Sequence, residues 1–422
     1  MRTSPGPLND RRPVRLLWGI AGLAFLVRLG AAIATDGLRH PELNEYDSIA
    51  KALINGQGFI YPRFAIIYDS YAPPMYSWIS AASYWLTGSI VPAMLLQLVA
   101  GSAVALIAAA IAWRVFGGWI APAAAGALVA VHPGLVVYTA TKAHPLTFDA
   151  LFFSWTAWQL FRLDERPTLR RSLEFGAIVG VGTLSRGTLI IFLPIGAAWL
   201  LFALGSRSWR VAVRNGVAAG VCAAAIIAPW TIRSSLLHGR FVFLLTTDAE
   251  DFWRGNNPYA TGHSYIDSGH IVLDTLTRDE RRELESLPNE VAQADWFMAR
   301  AKAFIYSNPR AFVRLTALKF LHFWWYAPQT GVRYAGSWFW LYMAYYVVAL
   351  LLAALGAWTI AQTGGVRARE GALIAIFLLA LSGLQSLYYV EGRHRWAIEP
   401  LLLAVSGGGV AKVLERRTRQ LA

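Results

Sequence analysis

Long uncharged apolar stretches set the architecture of this chain. No charged residue occurs from Ser70 to Trp113, and none from Val115 to Thr141. Further uncharged runs cover Gly187–Ser206, Asn215–Ile232, Tyr334–Val366 and Gly371–Val390, while Trp396–Ala411 carries only Glu399. A helix needs roughly 20 apolar residues to cross hydrocarbon, so these runs predict an all-α polytopic membrane protein. The stretch between residues 172 and 206 is strongly basic on both flanks and must return to its own side. At ~1.5 Å rise per residue, two helices of ~17 residues just cross, which predicts a hairpin with Arg186 at its outer turn. Ten spans result, near 15–35, 90–113, 119–138, 145–162, 172–185, 188–205, 213–231, 338–361, 371–390 and 396–412.

Composition narrows the class. Of the 422 residues 56% are hydrophobic and only 15% charged, with a mean hydropathy of +0.42. A soluble domain carries about 25% charged residues, so an ordinary soluble enzyme is excluded. Aromatics at 13%, including 18 Trp, exclude disorder. The net charge of +13 does not point to nucleic acid, because Lys and Arg punctuate the apolar runs instead of gathering on one stretch. Cys222 stands alone, which excludes an internal disulfide and a cysteine-based zinc site. The basic start and the apolar stretch up to Thr35 read as a retained first span.

The Arg-rich short connections at 11–15, 162–171, 206–214, 366–370 and 412–419 assign those turns and both termini to the cytoplasm. The chain then divides into three parts. Residues 1–231 form an N-terminal membrane core with a first external loop at 36–89. Residues 232–336 form an external, periplasmic region of helices and loops, and 337–422 hold the C-terminal membrane helices. Within the external region, 278–309 reads as helices ending at Asn308–Pro309. Residues 310–328, with Arg314 and Lys319 among aromatics, have the look of a helix lying in the membrane interface.

There is no phosphate-binding P-loop, no strand–GxGxxG–helix unit and no H-E-x-x-H. The Gly-rich segments 180–187 and 406–410 lie in apolar runs, where glycine serves close helix packing. The polar residues at the outer face are more telling. Lys142 and His144 sit in the turn after span three, Arg186 in the next outer turn and Arg233 just after span seven. Arg393, His394 and Arg395 come just before span ten. Each alone reads as an interface anchor. Together they suggest an anion site, for which guanidinium groups suit phosphate oxygens. Arg28 is a costly intramembrane charge, either functional or neutralised by a partner such as Asp149 in span four.

Opposite these bases lies HPELNEYDSIAKALINGQGF at 40–59, framed as a short helix by Pro41 and by Gly56 and Gly58. Tyr46, Ile49, Ala50 and Leu53 share one face, apt for lying on the membrane. Glu42, Glu45 and Asp47 occupy its first turns. Asp47 pairs with Lys51 at i,i+4. Glu45 has no such partner, which makes it the first choice for a reactive carboxylate and Asp47 the second.

With these residues in view, the chain resembles the bacterial polyprenyl-phosphate-sugar-dependent transferases of the GT-C fold. These are the glycosyltransferase 39, or dolichyl-phosphate-mannose-protein mannosyltransferase-like, group, related to lipid A aminoarabinose transferases. The matching pieces run in order: 45–59, YAPPMYSWISA (71–81), GTLSRGTLIIFLP (182–194), 228–244, WRGNNPYATG (253–262) and EGRHRWAIEPLLL (391–403). The resemblance implies a GT-C-like helical bundle with its site at the outer membrane face and a first-loop acid as catalyst. Many relatives carry an Asp-Glu pair there, where this chain has Asn44–Glu45. Many also carry an acid in the turn after span three, where this chain has Lys142 and His144.

Chemistry is consistent with that implication. No nucleotide-sugar pool exists outside the cytoplasm, so a sugar donor there must ride on a lipid. A polyprenyl phosphate leaves with negative charge that needs cations, and the attacking hydroxyl needs a base. The expected activity is therefore transfer of a sugar from a polyprenyl-phosphate donor to a lipid, glycan or protein acceptor at the outer face of the cytoplasmic membrane. Single-step displacement would invert the anomeric centre, with Glu45 or Asp47 as base. The phosphate would lie among Arg186, Arg233, Arg393, Arg395, Lys142 and His144. No metal-binding set is evident and no cofactor is expected. The competing readings are a transporter or flippase of lipid-linked sugars, which internal repeats and mid-bilayer charges would mark, and a non-catalytic membrane assembly protein.

Overall fold

The apolar runs fold as helices whose ends fall at the charged connections between them. The computed structural model describes residues 11–266, 270–326 and 336–421. In chain order the helices are α1 (Arg11–Ala34), α2 (Glu45–Ile54), α3 (Pro74–Thr87), α4 (Val91–Phe116), α5 (Ile120–Ala130), α6 (Pro133–Thr141), α7 (Leu146–Glu165), α8 (Leu169–Ser185) and α9 (Phe192–His238). After them come α10 (Asp248–Gly255), α11 (Arg278–Glu285), α12 (Glu290–Ser307), α13 (Pro309–Trp324), α14 (Ser337–Thr363), α15 (Gly365–Gln385), α16 (Gly392–Trp396) and α17 (Glu399–Leu421). A two-stranded hairpin, β1 (Tyr61–Arg63) with β2 (Ile66–Tyr68), completes the first loop.

Each of the ten apolar segments is helical over most of its length, with a break at 131–132 and a helix end at Gln385 inside two of them. Five helices among the described residues are long and apolar enough to cross a membrane: 15–34, α4, 208–238, α14 and α15. The bent pair α5–α6, at 46°, makes a sixth if counted as one span. Helix α9 breaks at Ser208 (φ −165°, ψ 73°), inside the basic stretch that separates the two predicted spans. The chain also leaves helical geometry at Arg186 (φ −148°, ψ 112°), where the hairpin turn was expected.

Glycine allows the closest helix contacts. A methyl group at Gly409 would lie 2.1 Å from the Leu352 carbonyl oxygen, and one at Gly407 would lie 2.3 Å from that of Ala121. Across the α8–α9 contact, a methyl at Gly176 would fall 2.2 Å from the Ala219 carbonyl oxygen. These glycines let backbones touch, the form of attraction that remains when lipid tails are as apolar as the side chains.

Arg28 has a structural explanation. It is fully buried and its partner is not Asp149. Nη2 donates to the Val129 carbonyl at 3.1 Å, and Nη1 donates to those of Ala130 at 3.3 Å and Ala24 at 3.1 Å. In a continuous helix the Val129 carbonyl would accept from the N–H four residues on, but that residue is Pro133, which has none. The helix breaks there, and the arginine of α1 satisfies the oxygens the break exposes, as a low-dielectric interior demands. The acceptors are backbone oxygens, which a search for an opposite charge in another span does not find.

Two further expectations are corrected. The face of α2 carrying Tyr46, Ile49 and Ala50 is buried against α3 and the core, not laid on a membrane. Tyr46 packs edge-on against Tyr76, and the Tyr84 hydroxyl donates to Asp47. Lys319 of α13 is fully buried instead of lying at an interface, whereas Arg314 is exposed.

Residues between α9 and α14 form a second, smaller core from Ala249, Trp253, Val272, Leu284, Trp296 and Phe297. Buried polar contacts fix it to the first loop. The Glu290 carboxylate accepts from the Asp69 N–H at 2.8 Å and the Thr246 hydroxyl at 2.6 Å, and lies 3.0 Å from His238 Nε2. Arg63 of β1 meets Glu250 at 2.7 Å.

Candidate active site

Helices α6, α8 and α15 all end at one end of the bundle, and α7 begins there. Together with α2, the first-loop segment before α3, and α10, they enclose a cavity of about 580 Å³. Its wall carries the carboxylates Glu45, Asp149, Asp248, Glu250 and Asp251, the guanidiniums Arg63, Arg186, Arg254 and Arg393, and the imidazoles His144 and His394.

Glu45 is the first residue of α2, capped by Asn44, whose side chain accepts from the Tyr46 N–H at 3.2 Å. That cap aims the first turn at the cavity. Glu45 is half-buried and makes no hydrogen bond or ion pair among the described residues. Asp149, one turn into α7, accepts from the Ser185 hydroxyl at 2.8 Å and from Arg186 Nη1 at 3.3 Å. Arg186 spends its other nitrogen on the Gln385 side-chain oxygen at 3.2 Å. Thus the residue that breaks α8 joins α7, α8 and α15 at the cavity wall.

From α10, Asp251 lies 3.4 Å from Arg254 Nη1, and Arg254 stacks 4.3 Å from the Tyr389 ring centroid. Asp248 is open to the cavity and, like Glu45, has no hydrogen bond or ion pair among the described residues. Crowding by surrounding protein and the neighbouring Asp251 push its carboxyl up to about 7. Arg393 pairs with Glu391 at 2.8 Å and reaches the Tyr138 hydroxyl at 3.4 Å. His394 is held well below the usual histidine range by burial, reinforced by the positive charge of Arg186. It is therefore a neutral imidazole at pH 7.

The sequence-predicted site residues separate into two groups. Glu45, Arg186, Arg393 and His144 share the cavity. Asp47, Lys142, Arg233 and Arg395 do not line it. Asp47 is buried, with Lys51 at 2.8 Å. Lys142 forms an ion pair with Glu42 beside a short parallel bridge between the same two residues. Arg233 donates to the Asp69 carbonyl at 2.6 Å and stacks on Trp230. Arg395 is buried against Glu399, the Phe323 carbonyl and the Tyr346 ring, on the far side of α16 from Arg393's contacts.

Sequence reasoning did not single out Asp248, Asp251, Arg254, Arg63 or Glu250. Four of them lie in two short polar stretches, DAED and WRGNN, and only the fold brings these to Glu45. The one signal available was the density of acids in the first turn of α10 next to an arginine three residues on.

Comparison with known proteins agrees with the resemblance. Residues 71–232 match the family model described as dolichyl-phosphate-mannose-protein mannosyltransferase. The chain is 25% identical over 250 residues to an undecaprenyl phosphate-alpha-4-amino-4-deoxy-L-arabinose arabinosyl transferase of Pseudomonas aeruginosa, covering 57% of this chain and 42% of that one. A protein of the same name from Pseudomonas paraeruginosa is 26% identical over 257 residues, covering 58% and 43%. The chain thus spans less than half the length of the curated relatives it matches. Among solved structures, the archaeal oligosaccharyltransferase AglB from Archaeoglobus fulgidus superposes with a TM-score of 0.55 at 13% identity, covering 94% of this chain and 51% of that one. The fold is a multi-pass helical membrane fold of the GT-C kind. Within it, the chain is similar to the dolichyl-phosphate-mannose-protein mannosyltransferase-like group and to the related aminoarabinose transferases.

Proposed function

We propose that this chain is an integral membrane glycosyltransferase that moves a sugar from a polyprenyl-phosphate donor to an acceptor hydroxyl, with inversion and with Glu45 as base. The reading rests on one observation above all: Glu45, unpaired, faces the same cavity as Arg186 and Arg393. The arabinosyl transferase activity of the Pseudomonas relatives points the same way. We place the cavity at the outer face of the cytoplasmic membrane, with about ten spans and both termini inside.

In this mechanism the donor's phosphate lies toward Arg186 and Arg393. Both guanidiniums are already oriented by carboxylates, Asp149 and Glu391, so a phosphate meets donors that are fixed in advance. The acceptor hydroxyl attacks the anomeric carbon as Glu45 takes its proton. The bond to phosphate breaks on the opposite side, and the polyprenyl phosphate departs as an anion without needing a general acid. Neutral His394 adds ring surface rather than charge to the wall.

The test is transfer from a panel of radiolabelled polyprenyl-phosphate sugars by purified protein in lipid. Wild type is expected to transfer label from at least one donor, and Glu45→Gln to lose about 10²–10⁴ of turnover while remaining folded and inserted. Undiminished turnover in Glu45→Gln overturns the assignment of the base. Movement of labelled donor across the bilayer without transfer would favour the flippase reading.

A further inference from the structure

Lys319 occupies an unusual place for a lysine. Its side chain is fully buried, and among the described residues it makes no ion pair. Its ammonium instead donates to the Gly255 carbonyl at 3.1 Å, the Asn256 side-chain oxygen at 3.0 Å and the Leu387 carbonyl at 3.4 Å. Burial without a countercharge is costly and lowers its pKa to about 7. Methionine would fill the same space without that cost, so the ammonium's worth lies in what it joins.

The three acceptors belong to two loops. One starts at the last residue of α10, directly after Arg254; the other follows α15 and leads directly into Tyr388 and Tyr389. All three of those side chains line the cavity. The loops touch through backbone: a methyl group at Gly255 would lie 2.5 Å from the Tyr388 carbonyl carbon. Asn256 Nδ2 also donates to the Leu387 carbonyl, at 2.7 Å. At Gly262 (φ +87°) a methyl group would lie 3.2 Å from Lys319 Cγ, so this segment passes close over the lysine stem. Loop carbonyls gathered in one place repel each other, and a buried cation removes that repulsion.

We propose that Lys319 is a positioning residue whose ammonium bolts these two loops together and so fixes Arg254 and Tyr389 at the cavity wall. The proposal rests on the reading of the cavity as the substrate site. Helix α13 thereby sets part of the cavity wall, without Lys319 touching substrate.

Two measurements on the full chain in lipid decide it. Backbone amide exchange at Asn256, Tyr388 and Val390 is expected to quicken at least tenfold in Lys319→Met, while α4 amides keep the wild-type rate. In transfer assays KM for the polyprenyl-phosphate sugar is expected to rise about tenfold with kcat within twofold, and Lys319→Arg, which keeps a charged donor, is expected to recover most of it. If Lys319→Met does not fold, Lys319→Gln carries both measurements. Exchange unchanged in both loops overturns the bolt. Faster exchange with KM unchanged makes Lys319 structural only and overturns the positioning role. A wild type inactive on every donor overturns the substrate-site reading and this proposal with it. An active wild type with an indifferent Lys319→Met overturns this proposal alone.

Discussion

Helices α7, α8 and α15 run between two clusters of charge, and the two clusters use it differently. On α7, Asp149 faces the cavity while Asp164 lies fifteen residues on, about 22 Å away at helical rise. Helices α8 and α15 likewise run between the same two ends. At the end away from the cavity the charges are spent on one another. Arg114 sits 2.6 Å from Glu370 and 3.4 Å from Glu165, Arg369 meets Asp164, and Arg170 meets Glu174 at 3.0 Å. At the cavity end Arg63, Arg186, Arg254 and Arg393 are also paired, but Glu45 and Asp248 are left over. Charge holds the fold together at one end; at the other it is held ready by that fold.

The comparison can be broken by substitutions that exchange the two behaviours. The largest effect is expected from Glu45→Gln, where turnover falls by about 10²–10⁴ with little loss of thermal stability, since among the described residues that carboxylate makes no hydrogen bond or ion pair. Equal losses of stability and turnover would show that Glu45 belongs with the compensated charges. Next, Arg114→Ala strands the buried Glu370 and is expected to cost about 3 kcal/mol of stability by denaturant or thermal unfolding, with turnover per folded molecule unchanged. Arg186→Ala stands between the two kinds. It removes a charged hydrogen bond worth about 1.5–3 kcal/mol, so donor use is expected to weaken about ten- to a hundredfold. Arg186→Lys restores it only partly because the planar fork is lost.

The smallest expected effect sharpens the comparison through pH. The folded-state pKa of Asp248, about 7, lies above its ordinary value of 3.8. Between those values the folded protein holds a proton that the unfolded chain has lost, so this group's contribution to stability falls as pH rises through the window. Asp248→Asn is expected to narrow the difference in melting temperature between pH 5 and pH 8. An unchanged difference would mean the carboxyl titrates as an exposed acid does.

The sequence revealed what depends on local order. Uncharged runs located the helices, Arg186 marked a break, and the stretch framed by Pro41 and Gly56 holds a short helix, although it starts at Glu45 behind an Asn44 cap and leaves Glu42 outside. The glycines of 406–410 were recognisable as packing residues. What stayed hidden depends on contacts far apart in the chain. Arg63 with Glu250, Asp149 with Arg186 and Lys142 with Glu42 are separated by 187, 37 and 100 positions. No spacing rule relates such residues. The apolar face of α2 was visible, yet periodicity alone does not say whether lipid or another helix covers it.

Arg28 adds a consequence in time. Its acceptor at Val129 lies 101 residues further along the chain, so at roughly 5–20 residues per second the ribosome needs about 5–20 s to supply it. Over that interval α1 holds an arginine whose own helix offers only the Ala24 carbonyl. The first helix must therefore wait beside the insertion machinery, or lean its arginine toward the headgroups, until the broken helix arrives. The order in which the bundle assembles is thus written into one side chain: α1 is made before α5 and seated only after it.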